Sequence, residues 1–183
     1  PDRRVGQVDH FPDYQKDVAT MMRAARTLQL PRPFFMLAHS MGGAIGLRAA
    51  MEGLSVQAAA FTAPMWGIHL APHLRPFAWG LSRIMPQIGQ GHQLPFGTKY
   101  DSYVASEPFE NNMLTTDAPM FDMMRDQLVA HPELALGGPS YVWLREALDE
   151  TKHLALRAAP SLPCVTFLGS NERIVQINRV HKR

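Results

Sequence analysis

Three short apolar runs stand out from the amphipathic and polar parts of the chain and predict strands, and the first has the length and aromatic content of a buried strand. They span Phe34–Ala38, Ala58–Ala63 and Cys164–Leu168. Between the first two runs, the small residues of Met41–Glu52 predict a helix that packs closely against its neighbours. A strand, a helix and a second strand in this order predict adjacent parallel strands joined by a right-handed crossover. The third run predicts that the parallel sheet resumes near the end of the sequence.

The segment from Phe11 onward has the period of an amphipathic helix. Pro12 suits the first helical position, and the "LPRP" stretch stops the helix. Apolar residues recur at the spacing that lines one helical face, namely Tyr14, Val18, Met21, Ala25 and Leu28. We therefore predict one amphipathic helix before the first strand.

The stretch after Pro64 is rich in proline, glycine and aromatic residues, and it predicts only short helical pieces between its prolines. Further on, Thr116 or Asp117 can cap one helix, and Ser140 can cap another. The first of these helices carries Phe121, Met124 and Leu128, and the second carries Trp143, Leu144, Ala147, Leu148 and Thr151. We expect residues 1–64 and 141–183 to form a core and residues 65–140 to form an insertion over it.

Composition narrows the classes of function. The 183 residues are 46% hydrophobic with a net charge of +2, which is ordinary for one globular domain. Positive residues are scattered among acids, so we expect no nucleic-acid partner. No apolar run approaches the roughly 18 residues that span a bilayer. The single cysteine, Cys164, is predicted to be a buried structural thiol, and one thiol suits a reducing compartment.

The first strand passes into the helix with almost no turn, and Ser40 lies at the corner. A serine in this position points its hydroxyl outward above a parallel sheet, close to the free amides of the helix N-terminus. Met41 N–H can stabilise an oxyanion there, and Gly42 and Gly43 are expected to permit a close approach that side chains would block. The usual pattern is G-x-S-x-G, with Ala38 here in the place of the first glycine. The alternative is an ordinary helix-capping serine.

Four stretches, spread over nearly the whole chain, resemble the α/β-hydrolase superfamily, and most closely its bacterial lysophospholipases and monoacylglycerol lipases. They are "LAHSMGG", "AAAFTAPMWGI", "NNMLTTD" and "LGSNERIV", in the order that the family has them. The resemblance implies an α/β-hydrolase fold, a mostly parallel sheet flanked by helices, with a helical cap as the insertion. It also implies that Ser40 is the nucleophile of a serine hydrolase and that Met41 N–H is an oxyanion donor.

The resemblance identifies a candidate acid in the last of these stretches. In such enzymes the loop after a late strand carries the acid of the triad in a G-x-x-D-x-[IV]-V context. Gly169–Val175 fits this pattern with Glu172 in the place of aspartate. Glutamate is an accepted partner of the histidine in these hydrolases. The alternative is that Glu172 is a solvated loop carboxylate.

No histidine in the sequence has an evident role as the base. His39 is next to Ser40 and is expected to point away from it as a supporting residue. His181 lies about 13 Å beyond Glu172 if the stretch between them is helical. His69 and His73 have a spacing that could hold a metal, but Pro72 lies between them and no further ligand follows, so we expect no metal. The four others, in loops or on helix surfaces without a motif, are His10, His92, His131 and His153.

In the resembled family the catalytic histidine follows one more strand after the acid, and a second oxyanion donor follows an early strand. We therefore expect this sequence to be an internal fragment, incomplete at both ends, which retains the nucleophile, the cap and the acid. The fragment alone is expected to be inactive, because a serine hydroxyl needs a base.

The insertion bears on the substrate, although individual substrate-binding residues stay unassigned. It carries many aromatic and methionine side chains, which suit a flexible apolar groove for an acyl chain. The alternative is that these residues attach the cap to the core. They are Trp66, Phe77, Trp79, Phe96, Phe109, Met113, Met120, Met123 and Met124.

The resemblance therefore implies a serine hydrolase that cleaves lysophospholipids or monoacylglycerols through an acyl-enzyme, without a cofactor. We expect a small lipid ester as substrate and a transient contact between the cap and a lipid surface. We expect the protein to be cytoplasmic or bound peripherally to the inner membrane. An acyltransferase or general small-ester esterase remains an alternative, as does a ligand-binding relative without turnover. The sequence does not specify acyl-chain length, head group or oligomeric state.

Overall fold

The fold is known from a computed structural model, which describes residue 2 and residues 4–183. Three parallel strands form its sheet in the order β1-β2-β3, with residues 36, 59 and 164 in register. The strands are β1, Met36–His39; β2, Ala59–Thr62; and β3, Cys164–Phe167. All three predicted strands are thus confirmed, each one or two residues shorter than the apolar run that predicted it. The parallel pairing of β1 with β2 across a helix confirms the predicted strand-helix-strand unit.

The described part of the chain contains seven helices. They are α1, Tyr14–Thr27; α2, Met41–Met51; α3, Arg75–Gln87; α4, Tyr103–Ser106; α5, Ala118–Ala130; α6, Tyr141–Leu156; and α7, Ile177–His181. Single 3₁₀ turns cover Phe11–Asp13, Phe109–Asn111 and Pro132–Leu134. No helix in the described part of the chain is both long and apolar enough to cross a lipid bilayer.

The chain divides into two compact units. One contains Pro72–Glu146 together with the N-terminal segment up to Asp9, and it holds α3, α4, α5 and the start of α6. The other contains His10–Ala71 and Ala147–Arg183, and it holds the whole sheet with α1, α2 and α7. Ser40 and Glu172 therefore belong to the same unit.

The packed face of α1 differs by one position from the predicted stripe. Met21 and Leu28 are exposed, whereas Met22 is half-buried along with Val18. Spacings of three and four residues both fit a helical period of 3.6, so the pattern alone cannot choose between Met21 and Met22. The choice follows from the position of α2, whose Ile45 carbonyl accepts a hydrogen bond from Gln15 Nε2 at 3.0 Å.

The first strand, which was predicted to be buried, is buried only at Ala38. Ala59 and Phe61 of the central strand β2 are buried, but Leu37 of β1 and the whole of β3 are exposed. Cys164 is therefore an exposed thiol, not the buried one that its apolar surroundings predicted. An apolar run indicates a strand that is stabilised by burial, whereas its actual burial depends on which helices or strands pack against it. Among the described residues, β1 and β3 each pair with β2 alone.

The prediction that the prolines after Pro64 restrict the chain to short helical pieces is wrong. Helix α3 runs for 13 residues with Pro76 in its first turn and Pro86 in its last turn. A proline in the first turn removes an N–H group that has no partner within the helix, so it costs little there. Both predicted caps are confirmed. Asp117 Oδ1 accepts Met120 N–H at 3.1 Å, and Ser140 Oγ accepts Trp143 N–H at 3.0 Å.

A buried ion pair joins α2 to the second half of α6. Arg48 donates from Nε to Glu150 Oε1 at 2.8 Å and from a terminal nitrogen to Oε2 at 2.5 Å, and the Glu150 side chain is almost completely buried. The Glu150 carboxylate raises the pKa of Arg48 above its ordinary value, so the guanidinium stays protonated. Because α2 begins directly after Ser40, this pair holds the helix on which the site is built.

Candidate active site

Ser40 occupies the corner between β1 and α2 in a strained backbone conformation. Its φ is 50° and its ψ is −120°, a region that residues with a Cβ rarely adopt and that costs on the order of 1–3 kcal/mol. The sharp strand-to-helix turn that the sequence predicted is thus present. Although Ser40 stands at the N-cap position of α2, its side chain makes no capping hydrogen bond. The alternative of an ordinary capping serine therefore lacks the interaction that defines it.

The segment after β2 holds this corner in place. Ser40 N–H donates to the Thr62 carbonyl at 3.1 Å, and the Ser40 carbonyl accepts Met65 N–H at 2.8 Å. One turn further along α2, the Gly43 carbonyl accepts a hydrogen bond from Trp66 Nε1 at 3.1 Å. Trp66 is buried and also meets the ring of Phe61 edge-on, with centroids 5.2 Å apart. Trp66, one of the residues considered for an acyl-chain groove, is thus a support of the corner.

Close packing at the corner involves Gly43, not Gly42. A Cβ on Gly43 would lie 2.5 Å from the Pro64 Cβ, whereas a Cβ on Gly42 would meet nothing within 4 Å in the described structure. The prediction that both glycines permit a close approach is therefore wrong for Gly42. Sequence reasoning could not separate the two, because only the position of Pro64 distinguishes them.

This difference leads to a paired prediction. We expect Gly43→Ala to destabilise the intact protein by about 1–3 kcal/mol, the usual cost of overpacking, because Pro64 must move. Gly42→Ala is expected to be neutral or to stabilise by up to about 1 kcal/mol, since alanine favours a helix and meets open space. Urea unfolding of both variants measures the difference. Equal losses of stability would contradict the assigned packing.

The helix start supplies a candidate oxyanion donor. Met41 is the first residue of α2, so its N–H belongs to the group of amides that have no acceptor within the helix. These amides and the helix dipole favour negative charge beside Ser40. An oxyanion that forms after attack by Ser40 can therefore be stabilised by Met41 N–H.

Glu172 lies in the loop after β3, and its carboxylate is held by that loop. Glu172 Oε1 accepts Ile174 N–H at 2.6 Å and Val175 N–H at 3.0 Å. The loop is fixed in turn because the Ile174 carbonyl accepts His69 N–H at 3.0 Å. Glu172 is half-buried and orientated by two backbone amides, unlike a freely solvated carboxylate. These bonds use Oε1 only, so Oε2 remains as a second acceptor.

Ser40 and Glu172 follow strands that end at the same edge of the sheet. Parallel strands have their carboxyl ends on one side, and β1 and β3 are separated only by β2, about 10 Å from strand to strand. An imidazole with a hydrogen bond at each ring nitrogen spans about 8 Å between its two partners. Strands separated by this distance leave room for an imidazole between side chains that follow them, as the predicted roles of Ser40 and Glu172 require.

Three histidines of this unit, His39, His69 and His181, can be compared with that place. His39 Nδ1 lies 2.8 Å from Thr62 Oγ1 and 3.1 Å from the Thr62 carbonyl, as expected for a supporting residue. His69 and His181, like His39, make no hydrogen bond to Ser40 or Glu172 in the described structure. His69 has an exposed side chain, although its backbone lies beside the acid loop, which the sequence did not reveal. No group of three or more metal-binding side chains occurs among the described residues.

The apolar residues considered for a groove have mixed positions. Phe77, Phe96, Met113, Met120 and Met123 are exposed. Trp79 lies beneath the Arg83 guanidinium, 4.5 Å from ring centroid to Cζ, and Phe109 meets the ring of Phe121 at 5.7 Å. An acyl-chain groove formed by these residues stays a prediction.

Comparison with known proteins gives one family for nearly the whole chain. The model of the family described as serine aminopeptidase, S33 (Hydrolase_4) matches residues 2–182. Lysophospholipase L2 of Escherichia coli K12 is 29% identical over 186 residues, covering 100% of this chain and 53% of its own length. Probable lysophospholipase L2 of Haemophilus influenzae is 27% identical over 180 residues, covering 97% of this chain and 56% of its own length. The chain spans about half the length of these relatives.

Solved structures show the same fold. A soluble variant of monoglyceride lipase from Saccharomyces cerevisiae, in complex with a substrate analogue, superposes with a TM-score of 0.63 at 18% identity. This match covers 100% of the present chain and 58% of the yeast chain. Monoacylglycerol lipase of Paleococcus ferrophilus gives a TM-score of 0.68 at 14% identity, covering 97% of the present chain and 60% of its own. Both likenesses confirm the predicted α/β-hydrolase fold.

Proposed function

The chain belongs to the serine aminopeptidase S33 family of α/β-hydrolases, close to lysophospholipases and monoacylglycerol lipases, and from this premise we propose that the intact protein hydrolyses carboxylic esters of lipids. The observation that carries the proposal is the strained corner at Ser40, whose hydroxyl makes no capping bond at the N-terminus of α2. The names of the relatives supply the substrate class, which is a lysophospholipid or a monoacylglycerol.

We propose that Ser40 Oγ attacks the ester carbonyl carbon and gives its proton to a histidine base. The carbonyl oxygen becomes an oxyanion, which Met41 N–H stabilises. Collapse of this intermediate breaks the ester C–O bond, and the histidine returns the proton to the departing alcohol. Water then attacks the acyl-enzyme by the same route, releases the fatty acid and regenerates Ser40. Glu172 accepts the Nδ1–H of the histidine and orients the ring throughout. Because the chain spans about half the length of its relatives, we propose that the base and a second oxyanion donor belong to other parts of the intact protein.

We further propose that the insertion, residues 65–140, acts as a cap over this chemistry. The compact unit built on Pro72–Glu146 supports the proposal, because its helices follow β2 and precede β3 along the chain. The exposed apolar side chains of this unit suit a small lipid substrate and a contact with a lipid surface. The protein would then act in the cytoplasm or at the periphery of the inner membrane.

The test is a substrate panel for the intact protein, containing a lysophosphatidylcholine, a monoacylglycerol, a short p-nitrophenyl ester and an aminoacyl p-nitroanilide. We expect fatty acid release from at least one of the two lipids, with a higher kcat/KM than for the short ester, and no cleavage of the anilide. Turnover of the short ester alone would indicate a general esterase, and product formed only with an alcohol acceptor would indicate an acyltransferase. Lipid binding without turnover would indicate a non-catalytic relative, and each of these three results would overturn the proposal.

A further inference from the structure

The segment that follows β2 contacts both parts of the candidate site. Near its start, Met65 N–H donates a hydrogen bond to the Ser40 carbonyl at 2.8 Å. At its end, His69 N–H donates a hydrogen bond to the Ile174 carbonyl at 3.0 Å. We call residues 65–69 the strap. Since Ile174 lies in the loop that carries the candidate acid, the strap connects the nucleophile corner with the acid loop.

The strap and the acid loop are paired as two short antiparallel segments. Ile68 lies opposite Val175 in an isolated antiparallel bridge, and a backbone hydrogen bond flanks this pair on each side. One of these bonds joins His69 to the acid loop, and the other runs from Gln176 N–H to the Gly67 carbonyl at 2.8 Å. Two backbone bonds on opposite sides of one residue pair fix both the spacing and the register of the acid loop relative to the strap.

The backbone that pairs with the strap also carries the bonds that orient the acid. Glu172 Oε1 accepts the N–H groups of Ile174 and Val175 at 2.6 and 3.0 Å. A shift of this backbone relative to the strap therefore moves the amides to which the carboxylate is bound. Because the other end of the strap holds Ser40, such a shift also changes the distance between the carboxylate and the serine hydroxyl.

Close packing at Gly67 leaves no room for a side chain. Gly67 is buried, and a Cβ there would lie 2.7 Å from Arg179 Cγ and 3.0 Å from the Cβ and Oε1 of Gln176. Gly67 has no positive φ, so this packing and not the backbone conformation requires the glycine. Gln176 is the N-cap residue of α7 and Arg179 lies within that helix, directly after the acid loop. A methyl group at Gly67 would therefore push the start of α7 and the acid loop away from the strap.

We propose that Gly67 is a positioning residue for the reaction. Its lack of a side chain lets the strap and the acid loop pair closely, and this pairing holds Glu172 at the distance from Ser40 that the triad needs. The inference rests on the proposed function and adds to it a residue that touches neither the substrate nor the reacting atoms.

The first test is Gly67→Ala in the intact protein. We expect kcat for a short p-nitrophenyl ester to fall by about 10- to 100-fold, because a displacement of about 1 Å can have an effect of this size. KM should stay within about threefold of the wild type, since the orientation of the histidine matters in the transition state and not in substrate binding. Gly80→Ala is the matched control and should keep the wild-type kcat, because a Cβ on Gly80 would meet nothing within 4 Å in the described structure.

The kinetics of fluorophosphonate labelling separate positioning from a merely structural role. If Gly67→Ala only reduced the folded fraction, less Ser40 would be labelled at the end point, and the labelled fraction would react at the wild-type rate. We expect the opposite result, with the end point of the wild type and a labelling rate that falls by about the same factor as kcat. A lowered end point with an unchanged labelling rate would overturn the inference.

Two double variants identify the group through which Gly67 acts. In a Glu172→Gln background, Gly67→Ala should change kcat by less than about threefold, because the orienting carboxylate is already lost. Arg179→Ala removes the Cγ nearest to the added methyl group and should by itself keep the wild-type kcat. Gly67→Ala/Arg179→Ala should therefore regain at least about threefold in kcat over Gly67→Ala. Losses that multiply in full with Glu172→Gln, or no recovery with Arg179→Ala, would contradict the proposed role.

The wild type separates this inference from the proposed function. Ester hydrolysis that depends on Ser40 but is unaffected by Gly67→Ala would refute the positioning role and leave the proposed function standing. A wild type that neither hydrolyses any ester of the panel nor reacts with the fluorophosphonate would refute the proposed function, and the positioning role with it.

Discussion

Ser40→Ala is expected to lower kcat of the intact protein by on the order of 10⁶, the scale seen when a serine protease loses its nucleophile. The effect is this large because the hydroxyl forms the covalent bond to the acyl group, and no neighbouring group can replace it. Alanine fits the corner with the same backbone conformation, so the variant should fold as the wild type does. The measurement is the single-turnover and steady-state rate of lipid ester hydrolysis.

A fluorophosphonate probe provides the direct assignment. It should label the wild type on Ser40 and leave Ser40→Ala unlabelled, as shown by mass spectrometry of the modified peptide. Ser55→Ala, which alters an exposed serine of the same unit, is the matched control and should keep full labelling and activity. Labelling at another residue, or near-normal activity of Ser40→Ala, would exclude Ser40 as the nucleophile.

The features that the sequence predicted well are determined by a few neighbouring residues. The corner at Ser40 is predicted by an apolar run that passes directly into small residues, and contacts with the segment after β2 then hold it in place. The N-terminal ends of the helices that follow Asp117 and Ser140 are also determined locally, because a capping oxygen reaches only the amides of the first helical turn. The place of Glu172 in a loop beside the sheet follows from the glycine that ends its strand.

The features that the sequence did not predict depend on residues far away along the chain. Arg48 and Glu150 are 102 positions apart, and neither carries a local sign that it will be buried. The exposure of Cys164 depends on which elements cover β3, and the contrast between Gly42 and Gly43 depends on Pro64. Long-range contacts of this kind decide packing, whereas the period of the sequence decides only which element forms.

The expected effect of Glu172→Gln is a fall in kcat of about 10⁴, the scale reported for replacing the orienting acid of a serine protease by its amide. Glutamine has nearly the same shape, and its oxygen can still accept the amides of Ile174 and Val175 that now bind Glu172 Oε1. The second position then carries an NH₂ group in the place of Oε2, which favours the wrong tautomer of the histidine. Glu172→Asp should keep part of the activity, since the carboxylate remains but is one methylene further from its partner.

Stability separates this orienting role from a structural one. If Glu172 only held its loop, Glu172→Gln would retain the loop bonds and the activity together, and Glu172→Asp would be the more damaging change. We expect the reverse order in kcat, with the melting temperature of Glu172→Gln within a few degrees of the wild type. Glu133→Gln, an exposed acid of the other unit, is the control and should leave kcat unchanged. If Glu172→Gln kept more than about a tenth of the wild-type rate, the histidine would have to be oriented by another acid, because the NH₂ group in the place of Oε2 donates a hydrogen bond and cannot accept the Nδ1–H.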